Sequence, residues 1–211
     1  MKSATIFSGT IFLLALVTIA GSPMAQPSTQ SADTRGAAAS NGSTHRLAAS
    51  MQNKLDYIQQ NGARLQPDPR PTVMTEEEVN DYIASGQVKL PQGVKKVRLQ
   101  GASGVVTAFL TVNFDEIKAG QKSSSPLLGL FSGTHDVTVE ADAQGIGGQG
   151  KVHVKTVYLD GTEIPHMALQ FFVEHYVTSK YPNVGLDSQF QLPDRIDTAT
   201  VGYHKLTVTQ K

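Results

Sequence analysis

Residues 164–182 read IPHMALQFFVEHYVTSKYP, and the fold turns on how that stretch is read. Pro165 suits a first helical turn, where its missing amide costs nothing, and Pro182 forbids continuation. About 15 residues lie between them, enough for ~22 Å of helix at 1.5 Å per residue. Met167, Leu169, Phe171, Phe172, Val173, Tyr176 and Val177 would cover most of its circumference. A helix apolar nearly all round is buried or covers something apolar. At about 1.5–3 kcal/mol for each large side chain fully buried, it would be a leading contributor to stability. The expectation is one long hydrophobic helix over 165–180.

The segments around it alternate. In GVVTAFLTVNFDE, Val106, Ala108, Leu110, Val112 and Phe114 share one face and Val105, Thr107, Phe109, Thr111 and Asn113 the other. HDVTVEADAQ places Val137, Val139, Ala141 and Ala143 together, and KVHVKTVYLDG continues after a glycine-rich turn, which predicts a hairpin. FQLPDRIDTATVGYHKLTVTQK closes the chain as strand, turn, strand. On the N-terminal side, Leu47, Met51, Leu55 and Ile58 recur at four- and three-residue steps, a helical stripe ended by Gly62. In TEEEVNDYIASG, Thr75 and Glu78 form a capping box and three glutamates suit the first turn of a second short helix.

KLPQGVKKVRL and QLPDRIDTATV say nearly the same thing. Leu90 and Pro91 match Leu192 and Pro193, Val94 matches Ile196, Leu99 matches Val201, and Val106 and Thr107 match Val208 and Thr209. This predicts a unit used twice: helix, Leu-Pro corner, strand, turn, strand. The fold class expected is therefore α+β. An antiparallel curved sheet would wrap on a long hydrophobic helix, with short N-terminal helices and a repeated helix-LP-strand-strand unit.

The chain begins with Lys2 and an apolar run from Ile11 to Ala20, the layout of a secretory signal peptide over 1–25 with cleavage after Ala25. About ten apolar residues are too few to span ~30 Å of hydrocarbon, so no transmembrane span is expected in the mature chain. Residues 26–45 contain no Val, Ile, Leu, Met or Phe and read as a disordered leader. Residues 46–211 read as a single domain, exported to the periplasm or cell envelope. With no cysteine, disulfides and lipoprotein anchoring are both excluded. Eighteen basic residues balance eighteen acidic ones, so nothing concentrates nucleic acid or anionic headgroups.

Motifs that imitate chemistry lack its context. Gly145–Lys151 fits a phosphate loop in outline, but it runs into a strand, and Val152 stands where a magnesium-binding hydroxyl belongs. Tyr176 and Lys180 have a dehydrogenase spacing without a dinucleotide-binding unit upstream. The six histidines make no metal-ligand spacing, and His135, His153, His166, Glu163 and Glu174 would act together only if the fold assembled them in a cleft. The reading expects no catalytic residue, no cofactor and no metal.

TEEEVNDYIASGQVKLPQGVKKVRLQGASGVVTAFLTVNFDE resembles the opening unit of bacterial exported proteins of the AsmA-like and TULIP-like (tubular lipid-binding) kind, in which a short helix precedes strands that curl around a long one. YLDGTEIPHMALQFFVEHYVTSKYPNVGLDSQFQLPDRIDTATV resembles their later portion. The likeness covers about residues 74–211. It implies an antiparallel sheet wrapped on a helix with an interior that can hold acyl chains, and it carries over no catalytic residue. The function expected is a non-catalytic exported protein that binds a lipid or other apolar small molecule between sheet and helix. Leu110, Val112, Val139, Val157, Phe171 and Phe172 would line the site, with Leu127, Leu128, Leu130 and Phe131 as lid or docking loop. The alternative is a structural or interaction module of the cell envelope, with a solid core, no ligand and a protein partner.

Overall fold

The computed structural model describes residues 37–118, 131–178 and 181–211, with side chains from residue 45 onward. In chain order these form α1 (Ala37–Gly62), β1 (Thr72–Thr75), α2 (Glu76–Ala84), β2 (Val94–Ala102), β3 (Val105–Asn113) and α3 (Phe114–Lys118). There follow β4 (Thr134–Ile146), β5 (Gln149–Leu159), β6 (Thr162–Glu163), α4 (His166–Phe172), β7 (Asp187–Gln191), β8 (Ile196–Gly202) and β9 (Lys205–Gln210). The nine strands among the described residues make one sheet, paired antiparallel throughout.

The long hydrophobic helix over 165–180 does not form, and the sheet is not wrapped around one. This overturns the expected fold class. After Pro165 the chain makes seven residues of α4 and then a wider π turn over Val173–Val177, closed by the Thr178 amide donating to the Val173 carbonyl at 2.8 Å. The β-branched Val173 and Val177 are stiff in a helix, which weakens its continuation. The looser turn keeps Phe172 and Tyr176 side by side, ring centroids 5.2 Å apart, both turned to the same core. Met167, by contrast, is 81% exposed. α4 is a short cover on one face of a dominant sheet. Among the described residues no helix is long and apolar enough to cross a membrane. The longest, α1 with 26 residues, is amphipathic and buries Met51 and Ile58 while exposing Gln59 and Gln60. It starts at Ala37, inside the stretch expected to be disordered, because three consecutive alanines favour helix whatever their hydropathy.

β4 organises the sheet. β5 runs along one edge; β3 occupies the other from Thr134 to Asp142, and β8 takes over at Gln144 and Gly145. The β2–β3 and β8–β9 hairpins therefore meet tip to tip. The Gly104 amide donates to the Val201 carbonyl at 2.9 Å, and the His204 amide donates to the Gly101 carbonyl at 3.0 Å. Gly101 permits that approach, since a Cβ there would lie 3.0 Å from the Gly202 carbonyl oxygen. The two Leu-Pro corners make matching bonds, Val94 to Pro91 at 3.0 Å and Ile196 to Pro193 at 2.9 Å, and each leads into a bulge. The second corner, however, follows β7 and not a helix. The likeness is confined to corner and hairpin, so the expected repeated helix-LP-strand-strand unit is also overturned.

α2 joins the two ends of the sheet. Its capping box forms, with the Glu78 amide donating to Thr75 Oγ1 at 3.2 Å and the Thr75 amide to Glu78 Oε2 at 2.8 Å. One turn on, Asn80 takes the place of a neighbouring strand. Its Nδ2 donates to the Leu99 carbonyl at 2.8 Å and its Oδ1 accepts from the Leu99 amide at 2.7 Å. Glu76 extends the imitation: Oε2 accepts from the Gly101 amide at 3.0 Å while the Glu76 amide donates to the His204 carbonyl at 2.9 Å. Two main cores result. One lies under β2–β5 and α4. The other gathers Met51, Ile58, Met74, Tyr82, Ile83, Ile196, Ala199 and Val208 between α1, α2 and the β1–β9–β8 side. Buried Asn61 and Gln210 stitch the second core, and all the bonds they make run to the backbone or to each other. Gly62, the last residue of α1, must lack a side chain because a Cβ there would sit 2.2 Å from the Asp194 carbonyl oxygen.

Asn80→Ala should leave the Leu99 amide and carbonyl without partners and lower unfolding free energy by about 2–3 kcal/mol. Urea unfolding measures the loss. Hydrogen exchange at Leu99 should accelerate selectively; unchanged exchange there would contradict the strand-mimic role.

Candidate functional site

The six side chains expected to line a ligand site do converge, on the core under β2–β5. Leu110 and Val112 on β3, Val157 on β5 and Phe172 on α4 are buried, and Val139 and Phe171 are packed against them half-buried. What they meet is one another and a cluster of rings. Phe131 stacks on Phe172 with centroids 4.4 Å apart, Phe114 meets Phe172 edge-on at 5.5 Å and Phe131 at 5.4 Å, and Tyr176 continues the row. These are the separations at which aromatic pairs attract. Phe131, expected in a lid or docking loop, is 3% exposed and part of that core. Leu127, Leu128 and Leu130 lie outside the described residues.

A depression of ≈ 740 Å³ opens elsewhere, along the free edge of β2. One wall is the end of α2 and the segment after it, with Ile83, Val88 and Leu90. The other reaches the outer face of β2–β4, with Lys96, Arg98 and Phe109. Of the six expected lining residues, Leu110 alone contributes to it. Phe109 stands in a cross-strand row between Arg98 and Thr138 and is 40% exposed. Lys95 pairs with Glu116 at 2.7 Å, whereas among the described residues Lys96 and Arg98 have no ion-pair partner. The alternation in VKKVRL already places Lys96 and Arg98 on one face and Val97 and Leu99 on the other. Nothing in the sequence shows that β2 is an edge.

The groups that looked like chemistry are dispersed. Gly147 and Gly148, with φ of 61° and 77°, form the two-residue turn between β4 and β5, so no helix N-terminus follows to cradle phosphate. Tyr176 is buried and Lys180 lies outside the described residues. His153 Nδ1 meets Asp187 at 2.5 Å and His204 Nδ1 meets Glu76 at 2.8 Å. Among the described residues His135, His153, His166, Glu163 and Glu174 do not meet one another, and no three His, Asp or Glu side chains are placed to hold a metal.

His135 has the most specific surroundings. Its Nδ1 lies 2.5 Å from Asp160 Oδ2 and its Nε2 lies 2.6 Å from the Ser132 carbonyl. Both partners are acceptors, so only the doubly protonated ring satisfies both. The Asp160 carboxylate, and after it the Ser132 carbonyl, hold the His135 pKa above its ordinary 6.5. His135, and after it the Asp136 amide, hold Asp160 below the usual carboxylate value. The latch fastens the chain beside buried Phe131 to the β5–β6 turn.

Comparison of the chain with protein-family models, with curated proteins and with solved structures finds no match.

Because the folded pKa of His135 is raised and that of Asp160 lowered, the latch contributes fully between the ordinary carboxylate value of 3.8 and pH 6.5, and is lost as pH rises through the folded His135 value. Thermal melts of the wild type and His135→Gln should therefore differ most near pH 6 and converge on the alkaline side. A gap that widens with rising pH would refute the assignment.

Proposed function

We propose that this chain is a non-catalytic, exported interaction module whose sheet–helix interior is filled by its own side chains. One observation carries the reading: Phe114, Phe131, Phe172 and Tyr176 occupy the place where an apolar ligand was expected, in ring-to-ring contact. A guest chain between β3–β5 and α4 would have to part rings whose centroids lie 4.4–5.5 Å apart. It would replace contacts at solid-like packing density with others no better. Export is supported by Lys2 and the Ile11–Ala20 run. A non-catalytic role is supported by the dispersal of His135, His153, His166, Glu163 and Glu174, which among the described residues do not meet one another.

Native mass spectrometry and solvent extraction of the purified protein test the reading. The expected result is the bare polypeptide mass with no reproducible lipid; a stoichiometric co-purifying lipid would restore the carrier reading. Phe172→Ala should destabilise the fold by about 3–5 kcal/mol, as deletion of a core ring does. A near-neutral effect on urea unfolding would mean that the ring faces space.

A further inference from the structure

We propose that the open half of β2 is a docking edge for an extended segment of a partner protein, one that alternates acidic and apolar side chains. The inference rests on the interaction-module reading and names its surface and partner class. Leu99 and Gly101 turn their amides and carbonyls away from β3, because those groups are taken by Asn80, Glu76 and His204. Along an antiparallel strand that orientation recurs every second residue. Val97 therefore also points its amide and carbonyl outward, into the depression, and among the described residues neither group meets a partner. α2 thus supplies strand-like bonds to one half of β2 and leaves the other half open.

The side chains beside the open half define what fits. A strand laid about 4.8 Å from β2 would direct alternate side chains to the two faces of the sheet. On the outer face they would lie beside Lys96 and Arg98, which have no ion-pair partner among the described residues. On the inner face they would meet Val88, Leu90 and Val97. Carboxylates on one side and aliphatic groups on the other match that pattern, and the backbone bonds add register. A second copy of the chain does not match. Two β2 edges would set Lys96 and Arg98 against their own duplicates, and like charges directly opposite are unfavourable.

The probe is a short capped peptide of alternating glutamate and valine, with a lysine–valine peptide as control, titrated into ¹⁵N-labelled protein shown by mass spectrometry to carry no lipid. The acidic peptide should shift the Val97 amide saturably and slow its hydrogen exchange, more weakly as salt is raised, while the basic peptide does neither. Lys96→Glu with Arg98→Glu, a surface change that leaves the cores intact, should weaken binding about tenfold or more. Val97→Pro removes the outward amide without touching the β3 ladder and should abolish the exchange effect; a dispersed spectrum checks its fold. Binding that is insensitive to the charge reversal, or that leaves Val97 unshifted at saturation, overturns the docking edge while sparing the wider reading. Lipid in the purified protein would instead strike at the wider reading.

Discussion

The amide and carbonyl of Leu99 lie where the sheet would otherwise end against the protein's own interior. An unpartnered peptide group at such a place costs about as much as a lost hydrogen bond. Asn80 meets both groups with one side chain, and much else follows from that. For Asn80 to reach them, α2 must lie along β2, which requires the helix to start at Thr75, directly where β1 stops. β1 in turn is held by β9, and β9 by β8. A capping box, one side-chain amide and an end strand thus connect parts of the chain that share no ladder.

The two cores differ in how they are made specific. Under β2–β5 the contacts are apolar and aromatic, and the geometry of the rings does the selecting. On the other side of the molecule a polar network is sunk among apolar groups. Glu78 is an example. Burial pushes its carboxyl up, yet bonds from Lys54, Ser50 and the Thr75 amide outweigh burial and hold it below the ordinary range. Asp194, whose own carbonyl takes a bond from Gln210, has no such compensation for its carboxyl, and burial raises it. The second core is sensitive to charge and the first to shape.

The strands were legible because their signal is local. GVVTAFLTVN alternates cleanly and forms Val105–Asn113, and the same holds for the long β4 and β5 run. The capping box at Thr75 was legible for the same reason. The helix at 165–180 was misread because apolar residues all round a helix say that something covers it, not how much. Met167 and Tyr176 look alike in the sequence and end up 81% and 2% exposed. Asn80 reads as one more polar residue on a helix, and Gly62 as a stop signal. Their reasons lie 19 residues away for Asn80 and, for Gly62, at the distant Asp194 carbonyl. Which strand would be an edge was not legible at all, since pairing between distant hairpins leaves no mark on either one.

The partnership of β1 with β9 has a consequence in time. Among the described residues Thr72–Thr75 finds its register only against β9, where Thr75 pairs with Lys205, so the neighbour it needs leaves a ribosome well after it. Synthesis proceeds at roughly 5–20 residues per second, which leaves the early segment waiting several seconds without that strand. During that wait Met74, Tyr82 and Ile83 are without the β8 and β9 residues that bury them. The nascent protein is thereby held back from closing its second core until β9 has been delivered, an interval in which a chaperone would meet a chain with that core still open.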